Sequence, residues 1–137
     1  MADVLTPEQR RRNMAAIKGK NTKPEMVVRR LAHSMGYRYR LHRKDLPGKP
    51  DLVFPSRCKV IEVRGCYWHM HDCQYGRVTP KTNTEFWQTK RLSNVARDVR
   101  NIAELAKRDW QVLIIWECEV KNVEQLRAVI SQFLNDE

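Results

Sequence analysis

The sequence predicts an α/β fold in which a mixed central sheet is flanked by helices, as a single domain over residues 1–137. Three observations predict it. Strand-like stretches at residues 51–54, 59–63 and 112–116 are separated by segments with helical spacing of apolar residues. Capping signals stand ahead of the first two helical segments. The run Val112-Leu113-Ile114-Ile115-Trp116 is continuously apolar, as expected of a strand covered on both faces, and it is placed at the centre of the sheet.

Each element has a local reason. Thr6-Pro7-Glu8-Gln9 opens a first helix, with Thr6 as N-cap, Pro7 at the first helical position and Gln9 closing a capping box; it ends near Gly19. Thr22-Lys23-Pro24-Glu25 opens a second helix, with Val27, Val28, Leu31, Ala32 and Met35 at helical spacing and Gly36 at its end. Tyr37, Tyr39 and Leu41 alternate with Arg38, Arg40 and His42, which predicts a strand. Leu46-Pro47-Gly48-Lys49-Pro50 is a turn, residues 51–54 a short strand, 55–57 a turn and 59–63 a strand. A loop runs to about residue 83. A long helix is expected over residues 84–108, with Val95, Val99, Ile102 and Ala106 on its buried side. After the 112–116 strand, Asn122 begins a last helix carrying Leu126, Val129, Ile130 and Phe133. The order after the N-terminal arm is α-β-β-β-α-β-α.

Charge is distributed unevenly. The chain carries a formal +10, and residues 1–44 hold 12 Lys/Arg against 3 Asp/Glu, a net +9. The body beyond is nearly neutral. A basic arm over residues 1–20, with Arg10, Arg11, Arg12 and Lys18, is the footprint of a DNA-binding surface. Met14 lies among these cations, either as an apolar probe into a groove or as the arm's contact with the body. No apolar run is long enough to span a bilayer and no signal-peptide core opens the chain, so a cytoplasmic protein is expected. Thiols there stay reduced, and the four cysteines are read as metal ligands or buried thiols. Cys58 is expected to pack as a small hydrophobe.

The chemistry concentrates in Gly65-Cys66-Tyr67-Trp68-His69-Met70-His71-Asp72-Cys73. Cys66, Cys73 and the distant Cys118, with either His69 or His71, have the donors for a tetrahedral Cys₃His zinc site; the spacing leaves the choice of histidine open. Just upstream, Asp51 and Glu62 fall near the ends of strands expected to pair, where two carboxylates and the Val63 carbonyl can hold Mg²⁺. Arg64 then stands beside the metal, able to meet a phosphate. Pro50-Asp51, ten residues, then Glu62-Val63-Arg64 resembles the PD-(D/E)xK nuclease signature, with Arg for Lys. The alternative is a turn aspartate and an outward strand glutamate. Glu25 has a favoured plain role, its carboxylate closing the capping box on the Thr22 amide; the other is to project into the active site. Tyr67-Trp68 and Phe86-Trp87 are aromatic pairs suited to stacking on bases, with one inside and one outside expected of the helical pair.

Taken together the residues closely resemble the very short patch repair (Vsr) DNA mismatch endonucleases of bacteria. The match runs through Arg12-Asn13-Met14 with Ile17, Thr22 with Glu25, Leu46-Pro47-Gly48 with Pro50-Asp51, and Gly65-Cys66-Tyr67-Trp68-His69 with His71 and Cys73. It continues through Thr84-Glu85-Phe86-Trp87, Asn94-Val95 with Arg97-Asp98, and Trp116-Glu117-Cys118. The resemblance implies a restriction-endonuclease-like fold and nicking of double-stranded DNA 5′ to the thymine of a T:G mismatch, a lesion left when 5-methylcytosine deaminates. It implies Asp51 and the Val63 carbonyl as Mg²⁺ ligands, His69 as catalytic histidine, and Glu25 and Asp98 as supporting acids. It implies Cys66, His71, Cys73 and Cys118 as structural Zn²⁺ ligands, Tyr67, Trp68 and Trp87 as intercalating aromatics, and Met14 as an insert from the opposite groove. The chain departs from the family at Glu62-Val63-Arg64, where an apolar residue, then Thr or Val, then commonly His, is usual. A monomer in the cytoplasm, near the nucleoid and in contact with mismatch-repair proteins, is the expected setting. The rival readings are a nuclease of the same fold with another DNA target, and a zinc-stabilised, non-catalytic DNA-binding module.

Overall fold

A computed structural model describes residues 22–79 and 81–135. The expected first helix and basic arm, with Arg10, Arg11, Arg12, Met14 and Lys18, lie outside the described residues. Helix α1 (Lys23–Ser34) starts where Thr22, in extended backbone, accepts the Glu25 N–H on its hydroxyl at 3.4 Å, with Pro24 in the first turn. Gly36 follows its end at φ +90°, a conformation that a β-carbon would disfavour.

Four strands form one mixed sheet in the order β1 (Arg40–Leu41), β2 (Leu52–Phe54), β3 (Lys59–Arg64), β4 (Gln111–Trp116). β1, β2 and β3 pair antiparallel, and β3 and β4 pair parallel. A parallel pair needs a crossover, and the 24-residue helix α2 (Thr84–Lys107) supplies it. Helix α3 (Val123–Asn135) closes the chain's order, its Asn122 side chain accepting the Gln125 N–H at 3.1 Å.

Alternation along the strands sends side chains to two apolar layers. Leu52, Phe54, Ile61 and Ile115 pack with Val28, Leu31 and Ala32 of α1 and with Leu126, Ile130 and Leu134 of α3. Val53 and Val60 face the other way, toward Leu46 and Leu105, with Val112 and Trp110 against them. The end of α3 is tied to the β2–β3 turn: Lys59 Nζ and Arg57 donate to the Phe133 and Leu134 carbonyls, placing cations at a helix C-terminus.

Four expectations are corrected. The strand at 112–116 is not central: among the described residues β4 is an edge and β3 is interior. Its apolar run reflects helices over both faces, and that says nothing about how many strands flank it. The strand expected from Tyr37 to His42 shortens to Arg40–Leu41, opposite a β2 of only three residues. On α2, Val99 is 64% exposed and Ala106 is exposed, while Arg91 and Leu105 are buried. Much of this helix lies over polar loop rather than apolar core, so its inner face carries Arg91, Asn94 and Asp98. Cys58 is exposed, at φ +54° in the β2–β3 turn. No helix among the described residues is long and apolar enough to cross a membrane.

Candidate active site and metal centres

The end of the sheet where β3 and β4 stop gathers nearly every residue with chemical potential. Asp51 stands one position beyond the last β2–β3 pair, Leu52 opposite Ile61. Its Oδ2 accepts the Val63 N–H at 2.7 Å, which locks the carboxylate against the end of β3. Its Oδ1 lies 3.9 Å from His42 Nε2. His42 directly follows β1 and donates its backbone N–H to the Asp51 carbonyl at 3.3 Å. Glu25 reaches the same point from the first turn of α1: its Oε2 is 2.9 Å from His42 Nε2 and 3.5 Å from Arg29. The favoured capping role is thus half right. Thr22 caps the Glu25 amide, but the Glu25 carboxylate is buried in the site beside His42. Ligand atoms of Glu25, His42 and Asp51 all lie within 4.8 Å of one another.

Burial lifts the Asp51 carboxyl to about 7; repulsion from Glu25 and Glu62 adds to the rise and the Val63 N–H opposes it. Burial likewise raises Glu62 above its ordinary value, against the pull of Arg64. Carboxylates crowded this way favour a bound cation.

Glu62 and Arg64 share a face of β3, as their spacing of two requires. Arg64 Nη2 donates to Glu62 Oε2 at 2.8 Å, with both side chains about nine-tenths buried. Arg64 also sits 3.8 Å from Asp98 Oδ2, and the same oxygen is 2.5 Å from His69 Nδ1. The result is a continuous charged chain from Glu62 through Arg64 and Asp98 to His69. Glu62 is engaged by Arg64 and stands outside the Glu25–His42–Asp51 group. With Nδ1 held by Asp98, the His69 ring keeps Nε2 for other work. Two adjoining clefts, of about 770 and about 500 Å³, share Asp51, Val63, Arg64 and His69 in their walls.

The second cluster follows from the parallel register. Arg64 pairs with Trp116, so Cys66 and Cys118, each two residues on, emerge side by side. The loop between turns back on itself: His71 N–H bonds the Cys66 carbonyl at 2.9 Å and Cys73 N–H the His71 carbonyl at 2.8 Å. The His71 ring stacks on Trp116, with centroids 4.1 Å apart, and its Nδ1 is 3.6 Å from Cys118 Sγ. Donor atoms of Cys66, His71, Cys73 and Cys118 lie within 4.8 Å. Between the two histidines the geometry separates roles: His71 joins the thiols and His69 faces Asp98. A soft set of three sulfurs and one imidazole nitrogen fits a four-coordinate zinc ion. Burial pushes the Cys66 thiol up to about 12. At Cys73 burial acts the same way, but bonds from the Gly76 backbone and His71 outweigh it and bring the thiol down to about 7.

Beside the cleft, Tyr67, Trp68, Trp87 and Phe86 form a ladder of edge-to-face rings at centroid spacings of 5.0, 5.7 and 4.9 Å. Phe86 is 61% exposed and Trp87 half-buried against Trp68, so the helical pair divides into outside and inside. Two residues that hold the site together escape sequence reasoning, Arg91 and His42. Arg91 is 1% exposed; it donates to the carbonyls of Tyr67, Val78 and Gly76 and lies 4.2 Å from the Tyr67 ring centroid. Nothing separates it from the other cations of α2 except the spacing that also buries Leu105. His42 reads as one more polar residue on an alternating strand. Asn94 adds a bond to the Trp68 carbonyl at 3.1 Å, so α2 fastens the aromatic loop through polar contacts.

Acids and a part-exposed histidine lining adjoining clefts at the end of a mixed sheet, in a chain of formal charge +10, suit a nuclease. Comparison with known proteins gives the same class. The family model described as DNA mismatch endonuclease Vsr matches residues 2–75. The chain is 49% identical over 135 residues to the type II nicking enzyme V.XorIIP of Xanthomonas oryzae pv. oryzae, covering 98% of each chain. It is 40% identical over 135 residues to the type II nicking enzyme V.NmeAIP of Neisseria meningitidis, covering 98% of this chain and 93% of that one. With the DNA mismatch endonuclease Vsr of Escherichia coli it shares 41% identity over 126 residues, 92% of this chain and 80% of the relative. The protein belongs to the Vsr endonuclease family.

Proposed function

We propose that this protein nicks one strand of double-stranded DNA, 5′ to the thymine of a T:G mismatch, in a reaction that depends on a divalent cation, Mg²⁺ in the first instance. The observation that carries the reading is the meeting of Asp51, Glu25 and the His69–Asp98 pair in adjoining clefts beside an aromatic ladder. The cation, when bound, polarises the scissile phosphate and lowers the pKa of its water.

Asp51 and Glu25 are the carboxylates placed to hold the cation, and the Val63 carbonyl is the third expected donor. Val63 N–H fixes Asp51 in its rotamer, so the site is built before the substrate arrives. Asp98 orients His69 through Nδ1, which leaves Nε2 to accept a proton from, or align, the attacking water. Arg64 pairs with Glu62 and lies near Asp98, offsetting part of their negative charge beside the phosphate. Glu62 acts through Arg64 in this arrangement and reaches the cation only by leaving it. Tyr67, Trp68 and Trp87 present rings to unstacked bases, and because a wobble pair costs less to open than a matched one, the rings are engaged more readily at the mismatch. The Cys66–His71–Cys73–Cys118 group, with Zn²⁺, holds that loop to the end of β4. The basic arm with Arg10, Arg11, Arg12 and Lys18 clamps phosphates, and Met14 enters from the far groove. The setting is the bacterial cytoplasm, as a monomer working alongside mismatch-repair proteins.

The test is nicking of T:G and matched duplexes of several sequences with and without Mg²⁺. Cation-dependent nicking of the T:G strand alone supports the reading. Equal cleavage of matched duplexes replaces mismatch recognition with another DNA target, and no cleavage in any duplex leaves a binding module.

A further inference from the structure

Among the described residues, the Glu25–His42–Asp51 group is the other set with the compactness of a metal site. We infer that His42 is a direct nitrogen ligand of the catalytic cation, making a mixed nitrogen–oxygen site that takes Mn²⁺ or Co²⁺ in preference to Mg²⁺. The inference rests on the reading of Asp51 and Glu25 as the cation's carboxylates.

The distances suit it. Ligand atoms about 2.1 Å from a small divalent ion lie roughly 3 Å apart when adjacent and roughly 4.2 Å apart when opposite. Glu25 Oε2 and His42 Nε2 are 2.9 Å apart, an adjacent pair, and His42 Nε2 and Asp51 Oδ1 are 3.9 Å apart, between the two limits. The three donors come from three different places in the fold: the first turn of α1, the residue after β1 and the residue before β2. They converge although they are 17 and 9 positions apart along the chain.

The backbone is committed to this placement. His42 sits at φ +46°, a left-handed conformation that residues with a β-carbon adopt at a cost. Its N–H is bound to the Asp51 carbonyl, so the imidazole and the carboxylate are carried on one hydrogen-bonded corner. The Glu25 side chain is 2% exposed, Asp51 17% and His42 21%, so the group is closed at Glu25 and open at Asp51 and His42.

The donor chemistry sets the preference. Mg²⁺ is hard, favours oxygen and releases its waters reluctantly; an imidazole nitrogen raises affinity for first-row transition ions, more for Co²⁺ than for Mn²⁺, which is itself largely an oxygen-seeking ion. The competing account is a plain hydrogen bond in which His42 only orients Glu25. That account gives His42 no contact with the ion.

The decisive measurement is pulsed electron paramagnetic resonance of Mn²⁺ on the full-length, zinc-loaded protein, with Mn²⁺ and Mg²⁺ affinities from titration. Wild type is expected to bind Mn²⁺ with a resolved ¹⁴N coupling. His42→Gln is expected to lose the coupling and to bind Mn²⁺ about 10- to 100-fold more weakly, with a smaller loss for Mg²⁺. His69→Gln is expected to keep the coupling. Mn²⁺ bound in an Asp51-dependent way without nitrogen coupling overturns the role of His42 and leaves the carboxylate site standing. Coupling that survives His42→Gln does the same. Mn²⁺ binding that Asp51→Asn does not affect overturns the carboxylate site as well. If His42→Gln does not fold, the wild-type spectrum decides alone, with His69→Gln excluding the neighbouring ring.

Discussion

The two donor clusters at this end of the sheet differ in how the chain assembles them. Cys66, His71 and Cys73 lie within one short loop, and Cys118 joins them because β3 and β4 run parallel in a fixed register. Glu25, His42 and Asp51 come from a helix, a strand end and a turn, with His69 and Asp98 brought from a loop and a second helix. The first cluster is closed and soft, suited to holding a structural ion. The second is hard or mixed and opens onto a cleft, suited to an ion that must meet a substrate. On the proposed reading, closeness in sequence goes with the structural site and convergence from distant elements with the reactive one. Three of the four soft donors come with one short loop and only Cys118 depends on the β3–β4 pairing, whereas every donor of the open cluster has to be positioned by the finished core.

The largest expected effect breaks the open cluster alone. Asp51→Ala should lower nicking by on the order of 10³-fold or more, with zinc content and duplex affinity close to wild type. Cleavage assays paired with metal analysis check it, and a variant that nicks normally removes Asp51 from the site.

Breaking the closed cluster should act on stability first. Cys118→Ser, or a strong chelator, should take away much of a margin that for a domain of this size is about 5–15 kcal/mol. Activity should fall as a consequence, because the loop carrying His69 and Trp68 loses its anchor. Thermal unfolding with and without chelator measures this. Full stability in a protein shown to lack zinc contradicts the division between the clusters.

The clusters should also separate in their pH dependence. The Asp51 carboxyl is raised in the folded state to about 7, so folding favours its protonated form. Its contribution to stability is present below the unfolded value, about 3.9, and is lost as pH rises through about 7. With divalent cations other than zinc withheld, Asp51→Asn should therefore be more stable than wild type at pH 8, by a few kcal/mol at most, and the gap should close toward pH 4. Denaturant titrations across that range test the sign. A gap that widens on acidification shows that ionised Asp51 stabilises the fold.

Trp87→Ala should cost roughly 1–3 kcal/mol of binding to unstacked DNA and narrow the preference for a mismatched over a matched duplex. Competition binding with the two duplexes reads it directly, and an unchanged ratio takes Trp87 out of recognition.

The smallest effect is expected at Glu62. Because its carboxylate is held by Arg64 at 2.8 Å, Glu62→Gln, whose amide oxygen can still accept from Arg64, should alter the rate only a few-fold, about 1 kcal/mol or less, and leave the Mg²⁺ dependence where it was. A large shift in the Mg²⁺ requirement places Glu62 on the cation and merges it with the open cluster.

What the sequence determined by itself is what short range or periodicity encodes. Thr22 and Asn122 mark helix starts because capping is a local bond. The strands at 51–54 and 59–63, the long helix from Thr84 and the alternation that splits the two apolar layers follow from side-chain period. Within the Cys/His loop the donor types were legible from the residues, and the choice of His71 came only from the family resemblance. Tertiary structure decided the rest. It placed β4 at the edge, since an apolar run reports covered faces and not neighbouring strands. It turned Glu25 away from its cap and into the cleft, paired Glu62 with Arg64, and brought His42 beside Asp51. It also buried Arg91 under the aromatic loop. These outcomes depend on what stands opposite a side chain across the finished core, and neither composition nor period along the chain carries that information.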